Sequence, residues 1–76
     1  MVSNMSHPDI AGTVRAELAR QRKSQQELQS RLGVSRATMR RRLTGEQPFD
    51  ANELIIVADF LGLAASELFG ETKASA

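Results

Sequence analysis

SQQELQSRLGVSRATMRRRLT, residues Ser24 to Thr44, contains two short helical patterns separated by Gly33-Val34-Ser35. The first opens with Ser24-Gln25-Gln26-Glu27, the spacing of a capping box. In that motif the Ser24 hydroxyl accepts from the backbone N–H three residues on, and Glu27 reaches back to Ser24. Leu28 and Leu32, four apart, give the helix one apolar stripe. Gly33 stops it, because glycine takes up the left-handed conformation that closes many helices. Ser35 is a second N-cap, and the helix it opens has Met39 and Leu43 as its buried stripe. A helix–glycine–helix pair this tight is a helix-turn-helix pattern, whose second helix lies in a DNA major groove. Here that helix carries Arg36, Arg40, Arg41 and Arg42. The stretch points to a sequence-specific DNA-binding domain.

Charge supports the same direction. The formal net charge is only +1, but it is unevenly spread. Residues 15 to 42 hold nine basic side chains against Glu17 and Glu27, whereas residues 43 to 76 hold Lys73 against six acids. A basic block over the helix-turn-helix is the electrostatic footprint of a phosphate-binding face. Mixed charge that merely solvates helices is the alternative, and four arginines within seven residues with no acid among them weigh against it.

Length and composition exclude much else. Seventy-six residues allow one small domain, and folding at that size removes only roughly 60% of the unfolded chain's surface. Cysteine is absent and His7 is the single histidine, so no disulfide, no metal site and no cofactor is expected. Tyrosine is also absent and there is no glycine-rich phosphate loop. A catalytic cleft of ordinary size has no room, so neither an enzyme nor a small-molecule substrate is expected. Glu53 and Asp59 read as helix surface or cap positions, not as a catalytic carboxylate pair. No apolar run approaches the ~20 residues of a membrane span. The start, MVSNMSHPD, lacks the basic and apolar regions of a signal peptide, so a cytoplasmic location without membrane contact is the expectation.

Along the chain, residues 1–5 read as a flexible arm, 6–69 as the helix-turn-helix domain and 70–76, GETKASA, as a disordered tail. Ser6-His7-Pro8-Asp9 has capping-box spacing with proline in the first turn. Ile10, Val14 and Leu18 then predict a helix from about Pro8 to about Arg22, which Gly12 weakens by about 1 kcal/mol relative to alanine. Gly45 ends the third helix, and Glu46-Gln47-Pro48 forms a loop from which Phe49 turns into the core. Asp50-Ala51-Asn52-Glu53 caps a fourth helix with Leu54, Val57, Ala58 and Leu61 as its core stripe, stopped by Gly62. Ile56 and Phe60 form a second apolar stripe there, which either completes the core or makes a homodimer face. A short last turn, Ala65 to Phe69, carries Leu68 and has no capping side chain near Ala64, making it the least secure element. The fold class is all-α, a compact bundle of four to five helices, with no strand signal and no repeat.

The order LxxRLGVSRATMRRRLTGExPFDxxELxxVAxFLGL closely resembles the helix-turn-helix domains of the lambda-repressor/Cro family of bacterial and phage regulators. The resemblance covers roughly Ile10 to Phe69. Its variant RRLTGEQPFDANEL is similar to small regulators of actinobacteria and their phages. What the family implies is carried over residue by residue. Gln25 matches the glutamine that holds a phosphate at the start of the second helix, aided by the helix's free N–H groups. Arg36, Ala37 and Thr38 match first-turn positions that face base edges. Arg36 can pair bidentately with guanine, and Ala37 and the Thr38 methyl can touch a thymine methyl. Arg41 is expected on a base or its neighbouring phosphate and Arg40 on a phosphate, while Ser35 adds a phosphate contact to its capping role. Arg42 stands where the family commonly has an apolar residue, so it is expected to point to solvent or phosphate. Arg15, Arg20, Arg22 and Lys23 are either sequence-independent phosphate contacts or solvated surface.

The implied function is a regulator that binds double-stranded operator DNA, of the Cro or immunity-repressor sort, acting by occupancy. The alternative is the DNA-binding antitoxin of a toxin–antitoxin pair, with a protein partner on Ile56, Phe60 or the tail.

Overall fold

The computed structural model describes residues 9–69. The proposed arm 1–5, Ser6 to Pro8 and the proposed tail 70–76 lie outside them. Among the described residues the chain forms five helices and no strand: α1 (Ile10–Gln21), α2 (Gln25–Leu32), α3 (Arg36–Thr44), α4 (Ala51–Leu61) and α5 (Ala65–Phe69).

The expected box at Ser6 is corrected by the position of Asp9, which is itself the N-cap of α1. Its carboxylate accepts from the Gly12 N–H at 2.9 Å. Gly12 therefore does more than weaken the helix, since a β-carbon there would collide with the Asp9 carboxylate. The glycine's lost propensity and the cap it makes room for are each of the order of 1 kcal/mol, so they nearly offset. The other caps form as the sequence predicts. Ser24 and Glu27 close both halves of their box at 3.0 and 3.1 Å. Asp50 and Glu53 do the same at 2.8 and 2.9 Å. Ala64 lacks a capping side chain, but its N–H donates to Glu67 Oε1 at 2.7 Å, which supplies half a box to α5.

The buried stripes meet in one core built from Val14, Leu18, Leu28, Met39, Leu43, Phe49, Leu54, Val57, Ala58, Leu61 and Leu68. Full burial of such side chains contributes about 1.5–3 kcal/mol each. Leu68 makes the short α5 a real part of the fold, for it is among the most deeply buried residues. α1 packs against α3, α4 and α5, and α2 lies against α3 and α4, so α1 and α4 hold the helix-turn-helix pair from behind. Phe60 and Leu32 lie half-buried against the same core, while Ile55 is the large apolar side chain left exposed among the described residues.

Much of the basic charge on α1 is spent within the molecule. The Arg15 guanidinium donates to the Leu43 carbonyl at the end of α3. Gln21 Nε2 donates to the Leu61 carbonyl at 2.8 Å and Lys23 Nζ to the Phe60 carbonyl at 2.6 Å. α4 has no basic residue in its own last turn, so its orphan carbonyls are capped from its neighbour. Arg20 and Gln21 donate to the Glu17 carboxylate and, with the Arg20 charge, hold it below the ordinary carboxylate range; the same contact raises Arg20. Any stability from Glu17 is thus present above the usual carboxylate pKa and lost as pH falls through the lowered one.

Arg22, the residue that closes α1, has φ 57 and is the non-glycine residue in the left-handed region among the described residues. A side chain there costs about 1–2 kcal/mol, whereas glycine gives up about 0.5–1 kcal/mol of chain entropy. Arg22→Gly should therefore stabilise the domain by about 0.5 kcal/mol, seen as a later midpoint in urea. An unchanged or earlier midpoint would contradict that balance.

Candidate nucleic-acid interface

The geometry of α3 sorts its residues into stripes. Met39 and Leu43 face inward. Arg36, Arg40 and Thr44 follow at four-residue intervals on one outer stripe, and Ala37 and Arg41 on the next. Both outer stripes line an open groove whose opposite wall is the start of α2, through Gln25, Gln26 and Gln29. Arg15 and Glu46 complete the walls, and Met39 and Leu43 form the floor.

The groove's electrostatics follow from what its cations touch. Among the described residues, no hydrogen bond or ion pair engages Arg36 or Arg40, and both are exposed. Arg36 occupies the first turn of a helix with no acid in that turn. A cation at the positive end of the helix dipole is locally unfavourable, by about 0.3–1 kcal/mol. At the head of α2, the capping box takes up the N–H groups of Ser24 and Glu27. Those of Gln25 and Gln26 have no partner among the described residues, and both residues line the groove; free first-turn N–H groups suit an anion.

Of the sequence-predicted contact residues, the structure gathers Gln25, Arg36, Ala37, Arg40 and Arg41 in this groove. Ser35 and Thr38 fall outside its walls and are occupied with each other. Ser35 Oγ accepts from the Thr38 N–H at 3.1 Å, and its hydroxyl donates to Thr38 Oγ1 at 3.0 Å.

Arg42 is the correction. It was expected at solvent or phosphate, but it shares the Thr38 stripe, which turns toward α4. Its Nε and Nη2 donate to the Glu53 carboxylate at 2.9 and 3.2 Å, and Nη1 donates to Gln47 Oε1 at 3.0 Å. Its side chain retains 18% exposure and that of Glu53 11%. Glu53 is thus no surface acid: one carboxylate closes the α4 cap and neutralises Arg42. The bidentate pair fastens the end of α3 to the start of α4.

Sequence reasoning missed Gln26, Gln29, Thr44 and Glu46, and offered Arg15 only as a sequence-independent phosphate contact or solvated surface. Gln29 follows Gln25 by four and Thr44 follows Arg40 by four, so helical spacing alone could have found both. Arg15 and Glu46 are brought in only by tertiary packing. Phe60, offered as a dimer or partner face, has Lys23 Nζ 4.7 Å and the Arg31 guanidinium carbon 5.3 Å from its ring centre. That is a cation–π cover over a ring already packed on the core.

Among the described residues no group of three histidine, aspartate or glutamate side chains is placed to hold a metal ion. No described helix is long and apolar enough to cross a membrane.

Comparison with known proteins gives two likenesses. Residues 9–76 match the family model described as the BetR domain. The crystal structure of a transcriptional regulator from Listeria innocua superposes with a TM-score of 0.79 at 20% sequence identity, over 91% of this chain and 64% of that one. At that identity the likeness is one of fold, and the chain spans just under two thirds of that regulator's length. None of the curated proteins matches.

Proposed function

The chain belongs to the BetR domain family, and from that premise we propose that it is a sequence-specific regulator that binds double-stranded DNA with α3 in the major groove. The observation that carries the reading is the pair Arg36 and Arg40. Both are exposed and unengaged among the described residues, on a groove that α2 heads with unpartnered N–H groups. Gln25 and those N–H groups hold a phosphate, Arg36 and Ala37 meet base edges, and Arg40 and Arg41 meet the adjacent backbone and base. Arg42 is withdrawn from the contact set. Ser35 and Thr38 set how the chain enters α3, and any DNA contact they make is secondary.

Occupancy of an operator is the proposed mode of action, in the manner of a Cro-type or immunity repressor. Two copies on an inverted repeat would place their recognition helices about one DNA turn, roughly 34 Å, apart. The alternative, a DNA-binding antitoxin with a protein partner on Ile56, Phe60 or the tail, would use the same α3 surface; Lys23 and Arg31 cover the Phe60 ring, and the tail lies outside the described residues.

The test is selection of bound duplexes from a random library at near-physiological salt, followed by a salt titration on the selected site. The expected result is an enriched motif and a log–log salt slope of about −0.9 for each phosphate neutralised. Affinity insensitive to salt, or no enriched motif, would overturn the reading.

A further inference from the structure

We propose that Gln47 is a specificity-determining positioning residue, whose side-chain oxygen holds the Arg41 guanidinium at the angle from which it meets a base. The inference rests on the DNA-binding reading above and asks what aims one of its arginines.

Gln47 lies in the loop after α3, outside the groove, and its Oε1 accepts from two guanidinium groups. Arg42 Nη1 is 3.0 Å away and Arg41 Nε 3.4 Å. Arg42 cannot follow a moving glutamine, because Glu53 clamps its other edge and Glu53 is buried and bound to the Asp50 N–H. The Gln47 backbone N–H donates in turn to the Arg41 carbonyl at 3.2 Å, which ties the loop to the last turn of α3. A buried carboxylate is thereby linked through Arg42 and Gln47 to Arg41.

Arginine carries five N–H donors in a planar fork. Engaging Nε leaves all four on Nη1 and Nη2 for a partner and fixes the plane in which they lie. A bidentate contact to guanine needs such a plane, and one held before binding loses less freedom on binding. The neutral amide suits the place, since an acid beside Arg41 would repel the phosphates the groove must approach. Gln47 is exposed, so its removal leaves the core intact.

The experiment compares motifs selected from random duplexes by the unaltered protein, Gln47→Ala, Gln47→Glu, Arg41→Ala and the double variant Arg41→Ala/Gln47→Ala, with thermal melting of each. Gln47→Ala should melt as the parent does and relax preference by about fivefold at the base pair that Arg41→Ala also relaxes. The double variant should relax it no further. Gln47→Glu keeps the acceptor and should keep that preference while binding all sequences more weakly. A motif unchanged in Gln47→Ala, a loss spread evenly over all positions, or no relaxed position in Arg41→Ala would each overturn the positioning role. An unaltered protein that enriches no motif would overturn the DNA reading and this inference together, and that outcome is visible without any variant.

Discussion

Arg36→Ala is expected to weaken binding to the selected duplex by about 5- to 100-fold and to relax preference at one base pair, the discrimination carried by a bidentate guanine contact. Folding should not suffer. Arg36 is exposed, has no partner among the described residues and sits in the first turn of α3, where its charge opposes the helix dipole. Its removal should raise stability by a few tenths of a kcal/mol, if it changes it at all. A residue that breaks a local rule without a compensating contact is most simply explained by something outside the chain. Arg40→Ala provides the contrast: it should weaken all sequences alike and reduce the salt slope by about 1, the behaviour of a phosphate contact. Gel-shift or anisotropy titrations over a range of salt, with melts of each variant, check both. Arg36→Ala binding as tightly as the parent would remove the central contact of the proposed interface.

Glu53→Ala should cost about 2–4 kcal/mol, because it leaves the Arg42 charge largely buried without its carboxylate and removes the acceptor of the Asp50 N–H. A domain with some sixty ordered residues has about 3–9 kcal/mol of stability in all, so the variant should be substantially unfolded at 37 °C. Arg42→Ala should cost somewhat less, since Glu53 keeps its cap. The joint replacement Arg42→Met/Glu53→Leu should cost about 1 kcal/mol, that of the lost half of the α4 capping box, because a buried ion pair mainly repays its own desolvation. Urea unfolding of the four proteins measures the three costs against the parent. A Glu53→Ala midpoint equal to the parent's would mean the pair is solvated and holds nothing. The same variants test the withdrawal of Arg42 from the DNA surface: the stable double variant, which also frees Gln47, should lose no more than Gln47→Ala does, about fivefold at one base pair, and a loss of more than about tenfold would put Arg42 back on the DNA.

Both expectations depend on telling four neighbouring arginines apart, and there sequence and structure contribute differently. The caps at Ser24, Ser35 and Asp50 and the stops at Gly33, Gly45 and Gly62 were legible because each is an interaction within three or four residues. So were the core stripes, from Val14 and Leu18 to Val57 and Leu61, because burial on a helix repeats with its turn. The Ser6 box failed for a related reason: two overlapping cap signals, Ser6 and Asp9, competed, and spacing alone could not choose between them.

By itself, then, the sequence determined where the five helices run, that their faces close on one core, and that α3 is the basic element. Tertiary structure decided which cations remain to meet a partner. Arg42 finds Glu53 eleven residues away, Arg15 reaches Leu43 across twenty-eight, and Lys23 reaches Phe60 across thirty-seven. Such pairings leave no periodic trace, because a guanidinium or ammonium takes whichever carbonyl or carboxylate packing brings to it. Only once they are made do Arg36 and Arg40 stand out on the groove as cations without a partner among the described residues.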